Sequence, residues 1–315
     1  MAKYVSPDAR AKRRKQQQAR RMAMYATIAV FILTVSFGIV KVIEAFSTDD
    51  GELPLLDNST TQQEQNIQQE VRDYTMGPVL TDMDRGIVAP DIATLQVTPN
   101  GRVDVSYFDD VLFLGDSLAD GFKVYAGWMS LKNTGAGYLT QRGTTPRTFL
   151  QPKAMVDAGQ GPVDVWATIE QKQPGKMYIT LGTNALMGMD PVDMMDGYRQ
   201  LIEKIQSASP DTVIYVTTIT PTTAKTARAK PQLSHDRITQ TNRLIADMCN
   251  QMGVHLINLD EILKASDGYL RSEIAAGDGY HLTPTGYKQW LEYLITHTVY
   301  DPDSPYIPGS PYYMA

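Results

Sequence analysis

Residues 111–118 read VLFLGDSL: four apolar residues, a glycine, then Asp116, Ser117 and Leu118. An unbroken apolar run of this length is a strand buried on both faces, and the polar residues after the glycine start a helix. A serine at such a junction projects its hydroxyl from the sheet edge. There the first main-chain N–H groups of the helix face any negative charge that develops. Similar runs recur at 177–182 (MYITLG), 213–219 (VIYVTTI) and 255–259 (HLINL), with a weaker one at 130–134 (SLKNT). Between them the apolar period predicts helices over 192–206, 235–252 and 284–298, the last with Thr283 as cap and Pro284 at its first position. Strands alternating with helices predict an α/β fold with a parallel sheet covered on both faces, spanning residues 107–300.

In an open parallel sheet, ligands bind beyond the carboxyl ends of the strands. Four features are expected there. Gly115-Asp116-Ser117-Leu118 offers a nucleophile. Asn133-Thr134-Gly135-Ala136-Gly137, after the weak second strand, offers a main-chain N–H that nothing shields. Gly182-Thr183-Asn184 offers a side-chain amide as an oxyanion donor. Asp278-Gly279-Tyr280-His281 is the only Asp-x-x-His in the chain and offers a base with a carboxylate to orient it. Each signal alone also describes an ordinary turn or cap. Together they supply nucleophile, base, orienter and oxyanion donors, the inventory for acyl transfer.

These residues resemble the SGNH/GDSL hydrolases over about 107–300: GDSL at 115–118, GTN at 182–184 and DGYH at 278–281. The resemblance implies a flavodoxin-like three-layer α/β/α sandwich and ester hydrolysis with no metal or other cofactor. It gives Ser117 as nucleophile, His281 as base and Asp278 as its orienter. The oxyanion hole would combine the Ser117 N–H, a glycine N–H from the second block and the Asn184 amide. Gly135 is preferred over Gly137 for that glycine. The family's usual Asp after the asparagine is replaced by Ala185.

The other 120 or so residues follow different rules. Residues 1–21 carry eight Lys/Arg and one acid, so the remaining chain holds a net charge of -13 out of the total of -6. An acidic body excludes a broad duplex-binding face, so no nucleic-acid partner is expected. One cysteine, Cys249, excludes an intrachain disulfide and a Cys-rich zinc site; it falls on an apolar helical stripe and reads as buried. Residues 22–40 contain no charge, enough for a helix of roughly 28 Å. With basic residues before it and acids after, 22–43 is expected to be an uncleaved transmembrane signal anchor in the lipid bilayer, residues 1–21 being cytoplasmic. Residues 44–106 read as a polar stalk and 301–315 as a Pro/Tyr-rich tail.

A tethered domain outside a bacterial membrane points to an envelope polysaccharide substrate, and first to a carbohydrate O-acetylesterase. Arg142 and Arg147 are candidate contacts for an anionic glycan. The alternatives are a lipid esterase or thioesterase, a glycan O-acetyltransferase, or a non-catalytic glycan-binding module. Tyr125, Trp128 and Met129 could serve an acyl chain but are expected to pack in the core.

Overall fold

The computed structural model describes residues 91–157, 161–299, 306 and 313–314. The segments expected as cytoplasmic tail and anchor, and the stalk as far as residue 90, lie outside them. Among the described residues no helix is long and apolar enough to cross a membrane.

Five parallel strands form the central sheet: β1 (Val111–Gly115), β2 (Gly137–Thr140), β3 (Lys176–Thr180), β4 (Val213–Thr217) and β5 (His255–Ile257). Their spatial order is β2-β1-β3-β4-β5, the flavodoxin-like winding. Residues of β1 alternate between two cores. Leu112 and Leu114 join Met177, Ile179, Ile214 and Val216 on one face of the sheet. Val111 and Phe113 join Tyr178, Tyr215 and Ile257 on the other. Five more helices complete what β1 begins with α1 (Ser117–Phe122): α2 (Val165–Lys172), α3 (Thr183–Gly188), α4 (Pro191–Ala208), α5 (His235–Met252) and α6 (Pro284–Thr296). Helices α2, α4 and α5 bury their apolar stripes in the first core, α1 and α6 in the second. The result is a three-layer sandwich.

Three expectations are corrected here. The second strand is 137–140, not 130–134. Residues 128–130 instead end a helical segment, closed by Leu131 N–H donating to the Gly127 carbonyl and by the Thr134 hydroxyl on the Leu131 carbonyl. The stalk does not extend to 106: the Val97 N–H donates to the Leu256 carbonyl, and Ile92 and Leu95 pack on the core. Within the tail, Tyr313 and Met314 pair antiparallel with Val103 and Arg102.

Site-bearing loops are fixed from behind. Asn242 of α5 is fully buried; it donates to the Ile219 carbonyl at 3.0 Å and accepts from the Ile219 N–H at 2.8 Å. Ile219, just beyond β4, lies against Gly182, where an added Cβ would sit 2.5 Å from its Cγ1. Gly182 has φ +140°, closed to most side chains, and opens α3. Asn242→Leu should therefore leave both Ile219 main-chain groups unpaired and lower stability by about 2–4 kcal/mol in urea unfolding. A loss below about 0.5 kcal/mol would show that the clamp is redundant.

Candidate active site

The nucleophile turn is built by close approach. An added Cβ on Gly115 would stand 2.4 Å from the Thr180 carbonyl oxygen and 2.6 Å from the Ala119 Cβ, so β1, β3 and α1 converge only around glycine. Asp116 caps α1, accepting the Leu118 N–H at 2.9 Å, and leaves Ser117 at the first helical position.

Ser117 Oγ lies 2.8 Å from His281 Nε2, and His281 Nδ1 lies 2.6 Å from Asp278 Oδ2. A carboxylate on Nδ1 fixes the proton there and leaves Nε2 to accept from the serine hydroxyl. The other Asp278 oxygen accepts from the main-chain N–H groups of Tyr280 at 3.2 Å and His281 at 3.0 Å. Burial pushes the Asp278 carboxyl up, but the His281 ring and these N–H groups outweigh it and hold it below its usual range. The loop takes this shape because Gly279 adopts φ +76° with the Thr226 Oγ1 where a Cβ would be. Thr226 donates to the Asp278 carbonyl at 2.9 Å, and the Gly279 carbonyl accepts from the Thr223 N–H at 2.8 Å.

Asn184, in the first turn of α3, donates through Nδ2 to Asp116 Oδ2 at 3.2 Å. Asp116 is 1% exposed, so this carboxylate is an interior one. Burial pushes its pKa up to about 6, against the opposing bonds from Leu118 and Asn184 and the charge of His281. The sequence offered no support for Asn184 once Ala185 replaced the family's acid. Asp116 is that support, and Ala185 is buried without exposure.

Two site expectations are overturned. Gly135 precedes β2 and meets the Asp109 carbonyl, at the amino edge of the sheet, because the second strand begins later than expected. The glycine in the loop that leaves the carboxyl end of β2 is Gly143, with φ +78° and nothing within 4 Å of an added Cβ. Its loop hangs on the nucleophile strand: the Gln141 N–H and the Thr144 hydroxyl both reach the Gly115 carbonyl, at 3.0 and 3.3 Å. Arg147 is the second correction. Its aliphatic stem packs on α4 at Gly197 and it donates to the Asp193 carbonyl at 3.4 Å, outside the cleft. Arg142 does line the cleft beside Ser117 and His281.

Tyr125, Trp128 and Met129, expected to be buried, are 40%, 53% and 58% exposed, and Tyr125 lines the cleft. Cys249 is buried and its thiol is pushed up to about 12, the state of an inert core residue. His235 meets the Gly268 carbonyl at 3.0 Å and His297 stacks on Tyr293, both structural contacts. Among the described residues no group of three or more His, Cys, Asp or Glu is placed to hold a metal.

A family model described as the GDSL-like Lipase/Acylhydrolase family matches residues 113–289. No curated protein matches the chain. Solved structures similar to it include a GDSL-like lipase from Bacteroides thetaiotaomicron, 14% identical, covering 68% of this chain and 91% of that one with a TM-score of 0.46. A lipase/acylhydrolase from Enterococcus faecalis is 15% identical over 59% and 92%, with a TM-score of 0.45. An acetylxylan esterase from Geobacillus stearothermophilus is 14% identical over 61% and 94%, with a TM-score of 0.44.

The Asp116 carboxyl gives a stability prediction. Its folded pKa of about 6 lies above the ordinary 3.8, so the folded state binds its proton more tightly than the unfolded chain does. That contribution is complete below about pH 4 and disappears as pH rises through about 6. Relative to Asp116→Asn, the wild type should thus lose roughly 3 kcal/mol between pH 4 and pH 8 in urea unfolding. Parallel stability profiles for the two proteins would show that Asp116 titrates at its ordinary value.

Proposed function

The chain belongs to the GDSL-like lipase/acylhydrolase family and is an ester hydrolase, and we propose that it is a membrane-tethered serine esterase removing O-acetyl groups from cell-envelope glycans. The observation carrying the serine mechanism is the unbroken Asp278–His281–Ser117 hydrogen-bond relay at 2.6 and 2.8 Å. In the proposed reaction Ser117 Oγ attacks the acetyl carbonyl carbon while His281 Nε2 takes its proton. The negative oxygen of the tetrahedral intermediate faces the Ser117 N–H, the Gly143 N–H and the second N–H of the Asn184 amide. The bond to the sugar oxygen breaks as His281 returns the proton to that oxygen, leaving an acetyl-serine. Water then gives a proton to His281 and attacks the acetyl carbon; acetate leaves and Ser117 recovers its proton. Asp278 stays ionised throughout and stabilises the imidazolium formed in each half.

The tether and the glycan come from the sequence. The charge asymmetry around residues 22–43 supports an external catalytic domain, and envelope glycans are the esters within reach there. A second reading, a lipid esterase, draws on the exposed apolar side chains of Trp128 and Met129 that follow Tyr125. Relative turnover of acetyl and octanoyl 4-nitrophenyl esters separates the two, acetyl being favoured here.

Ser117→Ala should reduce ester hydrolysis to background in a folded protein, and His281→Ala should come close to it. Asp278→Asn should lower kcat by about 10²–10⁴ and Asn184→Ala by about 10²–10³. The double variant Ser117→Ala/His281→Ala should be no worse than Ser117→Ala, because the relay acts as one unit. Full activity in Ser117→Ala would sink the serine mechanism.

The topology is checked separately: protease added to spheroplasts should remove the catalytic domain from intact membranes. Protection until lysis would contradict the tether orientation.

A further inference from the structure

The serine mechanism leaves one charged group unused. Lys123 is 5% exposed, at the start of the π-helical turn Lys123–Gly127 that follows α1. Its Nζ lies 2.6 Å from Asp120, which also accepts from the Thr140 hydroxyl at 3.2 Å and faces Arg142 Nε at 3.5 Å. Asp120 stands one helical turn after Ser117 and lines the same cleft, of about 400 Å³. Burying an ammonium is costly unless a partner compensates it, and Asp120 is that partner for Lys123. Burial pushes the Asp120 carboxyl up, but Lys123, with Thr140 and Arg142, more than offsets this and holds it below its usual range.

Asp120 thus faces two cations, the buried Lys123 and the exposed Arg142. Arg142 meets Asp120 through Nε and is still 84% exposed, lining the cleft. A guanidinium held by Nε alone keeps its outward edge for a carboxylate or phosphate.

The opposite wall is aromatic. Tyr125 stacks on Tyr287 with ring centroids 5.6 Å apart and planes inclined by 21°. Tyr287 is buried and closely seated: its hydroxyl occupies the place a Cβ of Gly121 would take, 2.1 Å away. Tyr125 therefore offers a braced ring face beside Ser117, suited to the apolar face of a sugar. Beyond the catalytic loop a second cleft of about 460 Å³ shares Ala276 and Asp278 with the first and is lined by Lys225 and Lys230. The acids lining the two clefts are Asp120, paired with Lys123 and Arg142, and Asp278, paired with His281.

Building on the esterase reading, we propose that the site selects acetylated glycans bearing an anionic group: Arg142 binds the carboxylate or phosphate and Tyr125 the sugar ring, while Lys225 and Lys230 follow the charged chain past the catalytic loop.

The test measures acetate release by the full chain in detergent from O-acetylated polygalacturonate and from the same polymer with its carboxylates amidated. A phosphorylated, O-acetylated mannan distinguishes phosphate from carboxylate. The wild type should prefer an anionic polymer over the amidated one by about tenfold or more in kcat/KM, mainly through KM. Arg142→Ala should reduce that ratio to below about threefold, Arg142→Glu should invert it, and about 0.5 M salt should weaken it in the wild type. Arg142 is exposed enough that neither variant threatens folding. Equal release from charged and amidated polymers, or a preference unchanged in Arg142→Ala, would overturn the inference. So would a preference for octanoyl esters in phospholipid vesicles, which would assign the rim to lipid. Hydrolysis of 4-nitrophenyl acetate without release from any polymer overturns the anionic-glycan inference and leaves the serine esterase standing. Inactivity toward 4-nitrophenyl acetate as well removes both.

Discussion

The Asp116 carboxylate accepts from Leu118 at the head of α1 and from Asn184 at the head of α3, and so joins the ends of two neighbouring strands. Both contacts sit in the interior, where an unpaired carboxylate could not be sustained. One carboxylate thereby fixes the turn that presents Ser117 and the amide that faces it. The rest of the edge is arranged around this junction: Gly115 allows the strands to meet, Ile219 and Asn242 hold Gly182, and the Thr223–Thr226 turn supports the Asp278 loop. Rigidity at the reacting edge is thus drawn from the layers behind it rather than from the loops themselves.

The parts of this arrangement that the sequence made legible are those encoded in one contiguous stretch. The apolar run 111–114 followed by Gly-Asp-Ser, and the Asp-x-x-His before a Thr-Pro helix start, each carry their own geometry. The helix over 235–252 is marked equally well, by its apolar stripe and by Gly253 at its end. What escaped depends on contacts distant in the chain. Gly137 opens β2 with no side chain of its own, and the short run Tyr-Leu-Thr after it is weaker as a strand signal than its packing between Phe113 and the sheet edge makes it. Because β2 begins later than its sequence signal suggests, Gly135 falls at the amino edge of the sheet, and the loop after the strand carries Gly143 instead.

Asp116 and the rim show the same limit in different forms. The Asp116–Asn184 bond spans 68 residues, so only folding reveals that Ala185 has a substitute. Tyr125, Trp128 and Met129 are expected in the core, but the helix there widens into a π turn and leaves them exposed. Residues 91–106 lack sustained periodicity because they bind the domain through single contacts, among them the Val97–Leu256 hydrogen bond.

The pairing of Arg102–Val103 with Tyr313–Met314 has an architectural consequence. Helix α6 starts beside His281 and runs back for about 20 Å, to where the Thr296 carbonyl accepts the Asn100 N–H. Arg102–Val103 and Tyr313–Met314 are therefore neighbours at the end of the domain remote from Ser117. A short linker joining these two segments would close the domain into a circular permutant, with new termini cut elsewhere on the surface.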